Sequence, residues 1–431
     1  MLMFSGSLVV HFKIIVLEET SESFGLWKDS SFPLLFKVYL FNVTNPEEVS
    51  RGDRPALKEL GPYVYRQYRH KSNITFEGKS KITYYQKKIF IFDAEKSKNF
   101  TETDQVILLD TAMLMLKSML AQLNGVLPLL FGYPLDPFVR CSVGDVLFNG
   151  VLINCSSDHP FVGKLLPPTM RPHEDPDEGY LFSMFHHQND TLQGPYTIDS
   201  GAESISRLGQ VLSFEDRTEL PTWDGACSVL NGTDATIFPP VEDTNIAHKS
   251  ISVFQADICS IFMKLVQSPH IFIKQGCLFD GSDWSVTHSG CALDGLMGLE
   301  KCQKAPVVAS FPHFFLASPS LLNYIASGLQ PNKLKHQTFV DIEPKTGAVL
   351  RGAKRMQFNM ELVQIQEISI LTNVTTGLFP LIWVEESILI LKIMPNNSNC
   401  IIKKKTKDNS QFQQIVPLAA SIFSRKIFQC K

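Results

Sequence analysis

Nine cysteines are present in the chain, and five of them lie between Cys227 and Cys302, where their spacing limits what the region can fold into. Successive members of this group are 32, 18, 14 and 11 residues apart. Structural zinc sites normally include a close Cys-x2-4-Cys pair, which this region lacks, so the spacing favours disulfides. We hypothesise a nested pairing, Cys259–Cys302 around Cys277–Cys291, with each bond stabilising the fold by roughly 3–4 kcal/mol through loop closure. Cys227 is then free or paired outside this scheme.

The chain also carries eight Asn-x-Ser/Thr sequons, which are glycosylated only when the chain enters a secretory lumen. Two of them are at Asn154 and Asn396. The six that we predict to be glycosylated are Asn42, Asn73, Asn99, Asn189, Asn231 and Asn373. Together with the cysteines they indicate an extracellular or endolysosomal-luminal chain. The alternative is a cytosolic protein with unpaired, buried thiols.

Composition narrows the class of protein further. The 431 residues can bury one large core or two modest ones, and a net charge of −3 argues against a nucleic-acid partner. The chain has 31 Phe against 10 Tyr and 4 Trp, and because Phe has no polar group this excess predicts an extensive apolar interior, either an ordinary core or a lipid cavity. The usual hydrolase, metalloprotease and nucleotide-binding motifs do not occur in the sequence, so we predict no enzyme, no cofactor and no metal site.

The stretch after residue 22 predicts antiparallel strands. Apolar and polar residues alternate from Leu35 to Val43, and Asn45-Pro46 then ends the strand. The next 37 residues, 61–97, have the pattern of several half-buried strands. Their predicted apolar positions are Val64, Ile74, Phe76, Ile82, Tyr84, Ile89 and Ile91. The same stretch contains the cations Arg66, Arg69, Lys71, Lys79, Lys81, Lys87 and Lys88. We interpret them as a solvated sheet face, with an anion-binding patch as the alternative.

Several segments resemble the class B scavenger receptor family. The first are LFNVTNPEEV, LKELGPYVYRQYRHKSNITF and IFIFDAEKS. The resemblance continues through TIDSGAESISRLGQV and CSVLNGTDATIFPP, and it is strongest in SFPHF, GLQPN, TFVDIEP and KRMQFNM. It implies an α+β fold, in which residues 18–386 form a large antiparallel β-barrel-like ectodomain enclosing an apolar tunnel. A small helical head lies at about residues 103–150, and the disulfide region at residues 227–302. One cysteine that relatives have near Cys277 is absent, so we expect two disulfides, and Cys141 and Cys155 lie outside the family pattern, with free thiols or a pairing of their own both open.

The two ends of the chain depart from the family pattern. Residues 1–17 are apolar but shorter than the roughly 20 residues that a membrane span needs, and Lys13 interrupts them. We interpret this segment as the remnant of an N-terminal signal anchor, with a first strand of a soluble domain as the alternative. Residues 387–431 lie beyond the resemblance, whereas relatives continue there to a second membrane span. We predict that this segment is a disordered tail.

A helix is predicted from Asp104 to Leu123. Apolar residues recur at helical spacing, Asp104 or the preceding threonine can cap the start, and Gly125 and Pro128 end the pattern. The residues that set the spacing are Val106, Leu109, Met113, Leu116, Leu120 and Leu123. The resemblance places this helix in the head, where protein ligands dock in the family. The docking residues that we predict are Met113, Leu116, Lys117 and Leu120, and the alternative is that they belong to the core.

These observations together predict a receptor rather than an enzyme. The resemblance implies that it lies in the plasma membrane or an endolysosomal membrane, with the ectodomain outside the cell or in the lumen. Its expected ligands are lipids or lipoproteins, including fatty acid, sterol or phospholipid, with lipid passing through the tunnel. The alternative is a trafficking receptor that docks a luminal lysosomal enzyme, or another protein, through the helical head.

Overall fold

The computed structural model describes residues 15–29, 33–111, 114, 136–153, 173–175, 179–221, 228–240, 250–255, 261–266, 287–288, 291–300, 306–342, 346–366 and 368–389. Strands dominate these residues. In chain order they are β1 (Leu34–Val43), β2 (Leu57–Glu77), β3 (Lys81–Phe92), β4 (Gln105–Leu109), β5 (Phe138–Ser142), β6 (Val151–Ile153), β7 (His173–Asp175), β8 (Gly179–Phe182), β9 (Leu192–Asp199), β10 (Val211–Phe214), β11 (Ser250–Gln255), β12 (Ile261–Val266), β13 (Thr287–His288), β14 (Cys291–Ala292), β15 (Leu296–Gly298), β16 (Val307–Ser310), β17 (Phe339–Ile342), β18 (Val349–Leu362) and β19 (Gly377–Leu389).

Ten of these strands form one antiparallel sheet. Its order is β10-β9-β3-β2-β1-β19-β18-β16-β15, and β17 pairs with β18 beside this path. The central strands β1 and β3 bury one residue in two along much of their length, which is the period expected of a sheet packed on a core, whereas β19 is buried at every position from 377 to 385. The predicted strand from Leu35 to Val43 is confirmed as β1, and the following stretch forms β2 and β3.

The described strands form an open sheet, so the closed barrel that the resemblance implied is not observed. The two edges are β10 and β15, and neither pairs with the other in the described part of the chain. The segment that joins them in sequence contributes two separate hairpins, β11-β12 and β13-β14. Two smaller sheets, β4-β5 and β6-β8-β7, lie apart from the large one in the hydrogen-bonding pattern.

Helices are few and short, which agrees with the predicted α+β class. The described α-helices are α1 (Glu22–Lys28), α2 (Pro46–Ser50), α3 (Ala94–Ser97) and α4 (Lys333–His336). A π-helical turn covers Asp145–Asn149, and 3-10 turns cover His186–Gln188, Ile205–Arg207, Pro312–Phe314, Pro319–Tyr324 and Ser369–Leu371. None of the described helices reaches the length and apolar content required to span a bilayer.

The predicted helix from Asp104 to Leu123 is wrong over its first turns. Residues 105–109 form β4, which pairs with β5 so that Val106 lies opposite Cys141. Asp104 accepts hydrogen bonds from Thr101, 3.1 Å from its backbone nitrogen and 2.7 Å from its hydroxyl, and so caps a turn before the strand. The segment QVILL has two consecutive β-branched residues, which favour a strand. The apolar spacing that suggested a helix is also compatible with a strand, and pairing with β5 decides between them. Thr111 and Leu114 are helical, whereas the rest of 112–135 lies outside the described residues.

Close to the two predicted ends of the ectodomain, at residues 18 and 386, the described chain packs against the fold. Leu17 is fully buried, and its backbone N–H donates to the carbonyl of Ser200 at 3.0 Å. At the other end β19 continues to Leu389, three residues past the predicted end of the ectodomain, and pairs there with Arg351. Residues 1–14 and 390–431 lie outside the described part of the chain.

Candidate functional site

One face of the large sheet, here called the inner face, is the face onto which Phe36, Gln67 and Phe90 project. Strand pairing sets these residues side by side, because Gln67 lies opposite Leu34 on β1 and opposite Phe90 on β3. Residues two apart on a strand share a face, so Arg69 and Lys71 follow Gln67 onto the same surface. The inner face therefore runs from aromatic to charged residues within a few positions of β2.

The aromatic part of the inner face is a cluster of four phenylalanines. Phe36 of β1 lies 5.0 Å from Phe90 and 5.3 Å from Phe185, measured between ring centroids. Phe148 in the π-helical turn lies 5.4 Å from Phe90 and 6.1 Å from Phe185. Edge and tilted contacts at these distances are favourable for aromatic pairs. The cluster gives the inner face an apolar, ring-lined surface contributed by two strands and by the turns that cover them.

The charged part of the inner face is centred on Glu386 of β19. Its carboxylate lies 2.5 Å from Lys354 Nζ on the adjacent strand β18 and 2.8 Å from Arg69 Nη2 on β2, which reaches it across β1. Burial alone would raise the pKa of Glu386, but the charges of Lys354 and Arg69 outweigh burial, with a further contribution from Lys88, and hold that pKa well below its usual range. The carboxylate is therefore ionised throughout the physiological range.

Gln67 lies between the aromatic and the charged parts. Its side chain is 1% exposed, and among the described residues neither the amide nitrogen nor the amide oxygen has a hydrogen-bond partner. The Oγ atom of Ser183 and the Oε1 atom of Gln193 are also buried without a partner. Gln193 lies opposite Gln86, further along the same face. Buried polar groups in native proteins are nearly always paired, so these atoms indicate a place that a water molecule or a ligand would complete.

Lys71 closes the polar end of this face. Its ammonium group donates to the carbonyl of Trp27 at 3.0 Å and to the hydroxyl of Thr236 at 3.1 Å, with Asp234 Oδ2 at 3.9 Å. Burial lowers the pKa of Lys71 to about 8, although Asp234 opposes the shift. The solvated-face interpretation of the cations is therefore wrong for Lys71 and for Lys88, which are both buried, whereas it is confirmed for Lys79 and Lys81, which are exposed.

The opposite face of the sheet carries a second polar cluster that the sequence did not predict. Glu59 accepts a hydrogen bond from Trp383 Nε1 at 2.8 Å, and its carboxylate lies 2.6 Å from Nε2 of His313. His336 stacks on His313 with ring centroids 4.3 Å apart, and burial lowers the pKa of His336 to about 4. Burial opposes ionisation of Glu59, but the hydrogen bonds from His313 and Trp383 outweigh it and hold the pKa of Glu59 below its usual range. Through His313 and His336, this cluster packs the segment 311–338 against the sheet.

The predicted docking and disulfide residues lie almost entirely outside the described residues. Those outside are Met113, Leu116, Lys117, Leu120, Cys259, Cys277 and Cys302. Only the backbone of Cys291 is described, in β14, where it pairs with His288. Cys141 is free and buried, which settles an alternative that the sequence left open, and burial raises the pKa of its thiol to about 12. In the part of the chain that is described, no three His, Cys, Asp or Glu side chains are grouped so as to hold a metal ion.

The six predicted glycosylation sites divide into two groups by environment. Four of them are exposed, namely Asn73, Asn99, Asn231 and Asn373. The other two are half-buried, and their amide oxygens accept backbone hydrogen bonds: Asn42 from the nitrogen of Ile107 at 2.8 Å, and Asn189 from that of Phe90 at 3.0 Å. Glycosylation at each of the six stays a prediction.

Comparison with known proteins assigns this architecture to a family. The sequence model of the CD36 family matches residues 2–425. Sensory neuron membrane protein 2 of Manduca sexta is 40% identical over 410 residues, which cover 87% of this chain and 79% of that protein. Sensory neuron membrane protein 2 of Heliothis virescens is 39% identical, covering 88% of this chain and 79% of the relative. Sensory neuron membrane protein 1 of Manduca sexta is 30% identical, covering 88% and 77%.

Proposed function

Because this chain belongs to the CD36 family, we propose that it is a receptor of the sensory neuron membrane protein type that binds an amphiphilic lipid along the inner face of its large sheet. Family membership by itself supports a class B scavenger receptor role and lipid or lipoprotein ligands in general. The proposal adds a location for the ligand within the ectodomain.

The observation that carries the proposal is the passage from the phenylalanine cluster to the charged part of the inner face, with Gln67 between them. An amphiphile needs an apolar surface for its chain and a polar group within reach of its head. Phe36 and Phe90 supply the first requirement and Gln67 the second, on adjacent strands. A buried amide without a hydrogen-bond partner costs free energy. A ligand whose head group pairs with the Gln67 amide would remove that cost.

The position of the site along the strands indicates where the ligand would leave. β1 begins, and β19 ends, close to Glu386, since Leu35 lies opposite Ser387 and Phe36 lies opposite Glu386. The phenylalanine cluster is therefore at the same end of these strands as Glu386. Relatives continue beyond this region to a membrane span, so we place this end of the strands next to the bilayer of the plasma membrane or an endolysosomal membrane, and lipid would leave the inner face there.

Photocrosslinking tests the location of the ligand. Phe90 faces inward, whereas its neighbour Ile91 is 52% exposed on the other side of β3, so the two positions form a matched pair. We replace each in turn with p-benzoylphenylalanine in the full chain produced in animal cells, irradiate, and analyse the protein by mass spectrometry. We expect a lipid adduct at position 90 and none at position 91.

Two other results would contradict this proposal. Equal labelling at both positions would mean that lipid only coats the protein surface. A folded, glycosylated chain that yields no adduct at position 90, and no lipid on extraction, would instead favour the protein-docking alternative through the head.

A further inference from the structure

The surroundings of Gln67 restrict what can complete its hydrogen bonds. On its own strand the inner-face neighbours are Tyr65 and Arg69, and across the strand pairings they are Leu34 and Phe90. Tyr65 donates its hydroxyl hydrogen to Glu102 at 3.0 Å and so is already engaged. The amide of Gln67 thus has apolar side chains on both flanking strands, and none of the described residues supplies a hydrogen-bond partner for it.

The partner needs both a donor and an acceptor. The amide of Gln67 offers an N–H donor and a carbonyl acceptor, and both are unpaired and buried. A carboxylate has only acceptors, so it would leave the Gln67 carbonyl unpaired and facing a negative charge. An ester, aldehyde or ether oxygen likewise only accepts. A hydroxyl group both donates and accepts, and it satisfies both requirements of the amide.

We propose that Gln67 forms a binding site for the hydroxyl group of an alcohol-headed lipid, whose hydrocarbon part packs on Phe36 and Phe90. The inference rests on the proposed lipid-binding function and adds the chemistry of the head group. A long-chain alcohol and a sterol share this chemistry, and the test below distinguishes them.

Wild-type protein provides the first measurement, and it needs no variant. Equilibrium binding to the delipidated full chain in non-ionic detergent is measured for hexadecan-1-ol, its methyl ether, hexadecanoate and cholesterol. The ether keeps the acceptor and the tail but lacks the donor. We expect hexadecan-1-ol to bind about ten-fold more tightly than the ether, the effect of one buried hydrogen bond, and more tightly than hexadecanoate. Strong cholesterol binding alongside weak hexadecanol binding would identify the sterol as the source of the hydroxyl.

The variant Gln67→Met then tests the residue. Methionine has nearly the volume of glutamine without its hydrogen-bonding groups, so we expect alcohol binding to weaken about ten-fold while ether binding stays within about two-fold. The ligand-free variant should also melt at a higher temperature, because an unpaired buried amide has been removed. Gln105→Met is the control, since it makes the same substitution at an exposed glutamine of β4 in a separate small sheet, and it should leave the alcohol preference unchanged.

The outcomes separate the two proposals. Lipids that bind wild type without any preference for the hydroxyl, or a preference that survives Gln67→Met, would overturn the head-group inference and leave the lipid-binding face in place. A lower melting temperature for ligand-free Gln67→Met would indicate that an ordered water normally completes the amide, which also contradicts the inference. Failure of all four compounds to bind wild type would overturn the proposed function itself.

Discussion

Lys71 is a buried lysine whose ionisation should be visible in the stability of the protein. Burial lowers its pKa in the folded state to about 8, whereas an unfolded lysine titrates near about 10.4. Between these values the unfolded chain holds a proton that the folded chain has released, so the free energy of unfolding rises with pH. The gain has an upper limit of about 1.4 kcal/mol per pH unit.

The variant Lys71→Met should lack this pH dependence. We expect the difference in free energy of unfolding between wild type and Lys71→Met to shift in favour of wild type from pH 8 to pH 10, measured by urea denaturation at several pH values. Lys81→Met, at an exposed lysine on the neighbouring strand, should give a difference that is constant over the same range. A constant difference for Lys71→Met would show that the buried amine does not titrate in this window.

The polar residues of β3 show why single-residue environments were hard to predict. Ile89 and Ile91 were expected to be the apolar positions, yet Ile91 is 52% exposed and Lys88 is 2% exposed. Ile82 and Tyr84 do face inward, as predicted, and an extended strand keeps its two-residue period, so Gln86 and Lys88 have to follow them. Residue hydrophobicity alone predicts the opposite phase for the second half of the strand. The inner polar site was missed for this reason.

At the scale of elements, two adjacent glutamates of β19 form ion pairs with neighbouring strands, Glu386 on one face of the sheet and Glu385 on the other. Glu386 pairs with Lys354 and Arg69 on the inner face. Glu385 pairs with Lys37 at 2.5 Å and with Arg355 at 2.7 Å on the outer face. The exposure of the partners does not rank the two sites, because Arg355 is 11% exposed against 16% and 19% for Lys354 and Arg69. Burial opposes ionisation of both carboxylates, but their cations outweigh it, and they hold the pKa of Glu386 well below its usual range while lowering that of Glu385 less.

Removing the inner carboxylate should therefore cost more than removing the outer one. For Glu386→Gln we expect a loss of about 3 kcal/mol in the free energy of unfolding, because two partly buried cations lose their shared partner. Glu385→Gln should cost about 1–2 kcal/mol, nearer to the value of a charged hydrogen bond. Urea denaturation of both variants at pH 7 measures the difference. Equal losses would contradict the stronger stabilisation of the Glu386 carboxylate by its cations.

Secondary structure was predicted correctly where the local sequence signals and the pairing with neighbouring strands favour the same element. β1 was predicted to within one residue because alternation, β-branched residues and the Asn45-Pro46 ending all agree. The predicted start of the head helix was wrong because the spacing of Val106 and Leu109, three apart, is compatible with a helix, while β5 supplies strand partners 29 to 37 residues further along the chain. Such a partner is a long-range contact, which local periodicity does not contain.

At the scale of the whole molecule, strand order shows why the cysteine-rich segment matters. The edges of the large sheet are β10 and β15, and the chain between them, residues 215–295, is the sequence connection from one edge to the other. Four of the five clustered cysteines precede β15, and Cys302 follows it by four residues. The family resemblance and the cysteine spacing predicted a cysteine-rich region here. Whether the two edge strands pair with each other depends on contacts between residues far apart in sequence, which the spacing does not reveal.

A disulfide from Cys259 to Cys302 would hold the end of this connection to the edge strand β15. Without it, the long loop between the two edges would be closed only by non-covalent contacts, and the loss is roughly 3–4 kcal/mol in the chain-entropy description. That loss is a large fraction of the roughly 5–15 kcal/mol by which a typical domain is stable against unfolding. We therefore expect Cys302→Ser to be retained inside animal cells and not to reach the surface or the medium, as measured by glycan maturation and surface labelling.

Cys141→Ala is the matched control for that experiment. Cys141 is a buried cysteine without a disulfide, in β5 of a separate small sheet, so its replacement removes a thiol but no covalent bond. We expect normal glycan maturation, with a stability loss of about 1 kcal/mol for the deleted sulfur. If both variants mature normally, the Cys259–Cys302 pairing is wrong. If Cys302→Ser alone is retained, and Cys259→Ser behaves like it while the double variant is no worse than either, the two cysteines form one bond and that bond secures the edge of the sheet.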